Sequence, residues 1–83
     1  QSSIHDRNYV EYSVNISPNP SDGPIQIDAP IGATCKMVSL NGDYVGSWKV
    51  KKGGLIIDSL QPGKYIIETT FKGKTKTKKI IIL

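Results

Sequence analysis

From Tyr12 onward, short apolar and β-branched runs alternate with turn residues roughly every ten positions. This rhythm predicts antiparallel strands stacked as a sandwich or barrel. The first strand spans residues 12–17, with Val14 and Ile16 on one face. Pro18-Asn19-Pro20-Ser21-Asp22-Gly23 ends it, because two prolines cannot sit inside a ladder. The second spans 25–28, with Ile25 and Ile27 in phase, and Ala29-Pro30-Ile31-Gly32 breaks the chain again. The third, 33–40, closes at Asn41-Gly42, a pair that favours positive φ at both centres of a tight hairpin. The fourth, 44–50, places Tyr44, Gly46, Trp48 and Val50 in one phase, and Lys51-Lys52-Gly53-Gly54 follows as a loop. The fifth spans 55–58. Gln61-Pro62-Gly63-Lys64 then predicts a type II turn, with Pro62 presetting φ and Gly63 accepting positive φ. The sixth, 64–71, carries Tyr65, Ile67, Thr69 and Phe71 on one side, and Lys72-Gly73-Lys74 turns into the seventh, 75–83.

No stretch keeps apolar residues at helical spacing, and Gly and Pro recur too often for a long helix. The expectation is an all-β chain: a compact Ig-like antiparallel β-sandwich of about seven strands over residues 12–83. Its core would hold Val14, Ile16, Ile27, Met37, Trp48, Ile57, Tyr65, Ile67 and Ile81. Residues 1–11 lack a usable period and read as a linker. With 83 residues there is room for one domain, which buries only roughly 60% of its unfolded surface. A start at Gln1 rather than Met suggests a piece of something longer. The hydrophobic fraction of 37% fits a globular chain, and no apolar run nears the ~20 residues that span a membrane, so direct membrane insertion is not expected.

Composition removes most chemistry. His5 is the only histidine and lies in the linker; Cys35 is the only thiol and shares phase with Ala33 and Met37, so it reads as a small buried hydrophobe. Without a nucleophile beside a base, an elbow, a phosphate loop or a zinc ligand cluster, neither catalysis nor a cofactor or metal is expected. Asp22, Asp28, Asp43 and Asp58 sit near turns, where aspartate bonds its own backbone, and lack a dense calcium-loop pattern. Trp48 with Tyr44 would make an aromatic platform for a sugar, but Trp48 is assigned to the core.

The formal charge is +4, and Lys72, Lys74, Lys76, Lys78 and Lys79 crowd one end. Lysines along an edge strand guard against sheet-to-sheet pairing, which is preferred here to nucleic-acid binding. The last residues are less ordinary. Lys78, Lys79, Ile80, Ile81, Ile82 and Leu83 put apolar residues on both strand phases. Either both faces of this end are covered, or one apolar face is open to a partner that extends the sheet or grips the end.

The turn motifs in order resemble one known family. Pro18-Asn19-Pro20-Ser21-Asp22-Gly23, Leu40-Asn41-Gly42-Asp43-Tyr44-Val45, Leu60-Gln61-Pro62-Gly63-Lys64-Tyr65 and Lys78-Lys79-Ile80-Ile81-Ile82 are similar to the motifs of the C-terminal sorting domain carried by cargo of the type IX secretion system of Bacteroidetes. Ser39 stands where that family commonly has Asp, and Leu83 where a basic residue is often found. The resemblance implies a label recognised by the type IX translocon, with Lys78 to Leu83 as the strand that is read. It implies that Pro18, Asn19, Pro20, Gly23, Asn41, Gly42, Gly63 and Tyr65 are structural. It also implies transit through the periplasm, export to the outer-membrane surface or beyond, and a sortase-like component cutting in the linker. The competing expectations are a retained interaction domain signalling to a periplasmic or membrane partner, and a carbohydrate-binding module. Strand pairing or swapping leaves an oligomer open.

Overall fold

The computed structural model describes residues 11–83; the expected linker lies, except for Glu11, outside the described residues. Among the described residues seven strands form, and no helix: β1 (Asn15–Ser17), β2 (Ile25–Asp28), β3 (Thr34–Ser39), β4 (Tyr44–Lys49), β5 (Leu55–Ile57), β6 (Gly63–Phe71) and β7 (Lys74–Ile82). They make two antiparallel sheets, one ordered β1-β2-β5 and the other β4-β3-β6-β7. Val14, Ile25, Ile27 and Ile57 from the first sheet side meet Cys35, Met37, Tyr65, Ile67, Ile80 and Ile82 from the second in one core. The in–out alternation along β2, and along β3 as far as Met37, is the physical signature of this: each sheet turns one face to the core and the other outward.

Hairpin chemistry differs from expectation in an instructive way. At Leu40-Asn41-Gly42 only Gly42 has positive φ, at 92°. The Gly42 N–H donates to Ser39 O at 2.9 Å and the Ser39 N–H to Asp43 O at 2.9 Å, which is a type I turn closed by a left-handed glycine in a three-residue loop. The two-residue turn with both centres at positive φ is instead Lys72-Gly73, at 50° and 81°, directly joining the paired residues Phe71 and Lys74. Nor is Gln61–Lys64 a type II turn: Gly63, with φ of 153°, already pairs with Ile82 as the first residue of β6. The Gln61 carbonyl is taken by the Tyr65 hydroxyl at 2.6 Å, a tyrosine corner that binds the chain back on itself as it enters the sheet.

A bulge also breaks the expected phase of β4. Met37 pairs with Gly46 but Val38 pairs with Tyr44, so Val45 is an extra residue. Trp48 therefore faces inward, half-buried against the core, with its six-membered ring over Gly46, where an added Cβ would lie 2.8 Å from the ring. Tyr44 turns to the outer face and is 64% exposed, its hydroxyl bonded to Ser47 at 3.0 Å.

The Lys72-Gly73 geometry predicts a pair of opposite effects. Gly73→Val should lower unfolding free energy by about 1–2 kcal/mol, and Lys72→Asn should raise it by a few tenths. Urea denaturation of both variants reads this directly.

Candidate functional site

Strand β7 is long, basic at its start and apolar at its end, and its two phases have different fates. Cross-strand partners share a face, and Tyr65 points inward, so its partner Ile80 does too. Ile80 is 0% and Ile82 4% exposed. Ile81, expected in the core, lies on the outer face and is half-buried. Three consecutive isoleucines gave no polar residue from which to read that phase. Lys78 and Lys79 are exposed, and so is Leu83, at 66%.

Because β7 is the outermost strand of its sheet, its outward backbone groups need partners or water. In an antiparallel pair these belong to alternate residues, here the odd-numbered ones. The segment between β1 and β2 supplies partners. The Ser21 N–H donates to Ile81 O at 2.9 Å, and the Leu83 N–H donates to Ser21 O at 2.7 Å, forming a parallel bridge. One step upstream, the Asn19 side-chain amide does what a neighbouring strand would do. Its Nδ2 donates to Lys79 O at 3.1 Å and its Oδ1 accepts from Ile81 N–H at 3.2 Å. Asn is suited to this because its amide carries one donor and one acceptor in the arrangement of a peptide group. Ser21, buried to 2% exposure, is held by its own loop: its hydroxyl accepts the Gly23 N–H at 3.1 Å and lies 3.0 Å from the Gly23 and Pro24 carbonyls.

The other end of β7 is tied by Tyr12. Its hydroxyl lies 2.6 Å from Lys74 O and 3.0 Å from Thr69 O, its ring meets Phe71 edge-on at 5.5 Å, and Lys76 Nζ sits 5.1 Å above it. Thus the residues that open the described chain run alongside β7 and hold both of its ends.

The four motifs, far apart in sequence, converge here. Ser39 pairs with Tyr65 and Tyr65 with Ile80, making one row across three strands. The Leu40 N–H donates to Lys64 O at 3.2 Å, and Gly63 pairs with Ile82. Pro18, Asn19 and Pro20 lie along the outer edge of the same end, with Gly23 one turn beyond. Ser39 accepts the Asp43 N–H through Oγ at 3.1 Å, a bond that the carboxylate of an Asp could also accept. Within Pro18-Asn19-Pro20-Ser21-Asp22-Gly23, nothing in the sequence pattern singles out Ser21, because its bonds reach a strand about sixty residues on.

Catalytic candidates are not brought together. Cys35 is fully buried, 3.6 Å from Thr69 Oγ1, and burial pushes its thiol pKa up while the Thr69 bond pulls the other way. Among the described residues no three of His, Cys, Asp and Glu come together; His5 lies outside them. Tyr44 and Trp48 lie on opposite faces, so the aromatic platform for a sugar is not formed.

Among the described residues the domain offers an all-strand scaffold and its surface, with no cluster of reactive side chains. A family model for the secretion system C-terminal sorting domain matches residues 15–83, and the chain belongs to that family. It is a C-terminal sorting signal for type IX secretion, recognised by that machinery and directing export across the outer membrane to the surface or the extracellular space. The family is not known as catalytic. The comparison with curated proteins returns no match.

Two measurements check this geometry. Asn19→Ala should cost about 1 kcal/mol and speed hydrogen exchange at the Ile81 amide, leaving the Ile80 and Ile82 amides, which face β6, unchanged. The Cys35 thiol should resist a thiol reagent at neutral pH until urea unfolds the domain, so labelling should track the unfolding curve.

Proposed function

We propose that residues 12–83 are an export label for a parent protein joined through residues 1–11. The translocon reads the label at the end of β7, the segment from Lys78 to Leu83, after transit through the periplasm. A sortase-like component then separates label from parent within residues 1–11. Pro18, Asn19, Pro20, Gly23, Asn41, Gly42, Gly63 and Tyr65 act as positioning residues, because they lie in the turns and at the start of β6 that fix this end of the sandwich.

The observation that carries this reading is the clamping of β7. A strand held by Asn19 and Ser21 on one side and β6 on the other keeps one conformation, so its exposed side chains need little ordering when a partner binds. If two copies pair by strands, the edge of β7 from Lys79 onward is closed to them, because Asn19 and Ser21 already bond it.

The test uses a carrier fused ahead of residues 12–83 in a bacterium with a working type IX system. Removing Lys79 to Leu83 should strand the carrier in the periplasm. That deletion also takes Ile80 and Ile82 from the core, so the fold-preserving pair Lys78→Glu and Lys79→Glu carries the decision. The charge reversals should cut surface delivery about tenfold, the effect of losing roughly 1.4 kcal/mol of binding. Delivery of both variants at the level of the unaltered fusion would reject the reading.

A further inference from the structure

Four rows cross the outer face of the sheet β4-β3-β6-β7, and they are not alike. The first holds Lys49, Thr34, Thr70 and Thr75, and the second Ser47, Lys36, Glu68 and Thr77. Both are wholly polar, as the solvent face of an antiparallel sheet should be. The third holds Tyr44, Val38, Ile66 and Lys79, and the fourth joins Leu40 to Lys64 and Ile81. Tyr44 and Leu40 are exposed, and Val38, Ile66 and Ile81 are half-buried. Leu83 follows, also exposed. The face is therefore polar at one end and apolar at the other, and the apolar end carries the end of β7.

Two further facts narrow how that strand can be read. Its edge beyond Lys79 is occupied by Asn19 and Ser21, so a partner strand cannot pair along it without displacing them. Ile80 and Ile82 are in the core and present nothing outward. What remains is Lys79, Ile81 and Leu83, and these continue the apolar end of the outer face.

We infer that the docking surface is composite: Tyr44, Val38 and Ile66 together with Ile81, bordered by Lys64 and Lys79. Its occupant is a protein surface of the secretion machinery with an apolar centre and an acidic border. The two lysines supply the charge complementarity, and an apolar centre inside a charged rim is the usual anatomy of a protein interface. The middle hairpin is then a contact element as well as a turn, because the bulge at Val45 turns Tyr44 outward onto this face. The proposal rests on the sorting reading and adds where the reader sits.

The experiment uses the same carrier fusion. Ile66→Thr with Ile81→Thr removes apolar surface while keeping β-branched side chains, and Tyr44→Ser removes the ring. Lys36→Glu, at the polar end of the face, is the control. Melting temperature and circular dichroism select variants that remain folded. The expected result is about a tenfold fall in surface delivery for the apolar variants and for Lys64→Glu with Lys79→Glu, with Lys36→Glu unchanged. Export of the folded apolar variants at the unaltered level, while the unaltered fusion is delivered, overturns the composite surface and leaves the sorting reading intact. Failure of the unaltered fusion itself strikes the sorting reading. Binding of the domain to anionic lipid vesicles, lost in the same variants, would assign the face to a membrane surface and overturn the proposal.

Discussion

An edge strand cannot leave its outward backbone groups both unpaired and shielded from water, and the arrangement of this domain answers that constraint at β7. The answer comes from the other end of the chain. Asn19 lends a side-chain amide and Ser21 a main-chain peptide, so four outward groups between Lys79 and Leu83 find partners. With that side closed and β6 on the other, Ile80 and Ile82 are fixed in the core and Ile81 is fixed outside it. The positions of the remaining turns follow. The tyrosine corner at Gln61 and Tyr65 sets where β6 begins, and the Leu40-Asn41-Gly42 loop sets where β3 stops, both level with the end of β7.

For a sorting domain this has a functional meaning. A signal held as a fixed surface can be read by side chains without unfolding, and its main chain is protected from pairing with the wrong strand. The lysines that precede Ile80 extend that protection along the rest of the edge. On the reading proposed above, structural and recognition roles lie on the same strand but on opposite phases: even-numbered Ile80 and Ile82 hold the sandwich, odd-numbered Lys79 and Ile81 face outward.

Most of the fold was readable because the chain is locally consistent. Alternation in Ile25-Gln26-Ile27-Asp28 and Cys35-Lys36-Met37 leaves one choice of face, and Pro and Gly bound each run. What escaped reading was set by partners distant in sequence. The phase of Ile80-Ile81-Ile82 depends on Tyr65 across the ladder. The orientation of Tyr44 depends on one extra residue, Val45, that no local pattern announces. The Pro62-Gly63 pair looks like a type II turn until the Tyr65 hydroxyl claims the Gln61 carbonyl. The motifs of the candidate site were visible one by one; their convergence, and the bonds from Asn19 to a strand sixty residues on, were not.

The central claim is that the machinery reads the outer phase of β7 on the folded domain. Photo-crosslinking during export tests it most directly, with a photoreactive residue placed singly at Ile66, Lys79, Ile80, Ile81, Ile82 or Thr77. Crosslinks to secretion components from positions 66, 79 and 81, and none from 80, 82 or 77, are predicted. Crosslinks chiefly from 80 and 82 would mean that the strand is peeled from the core before it is read, and would contradict the account.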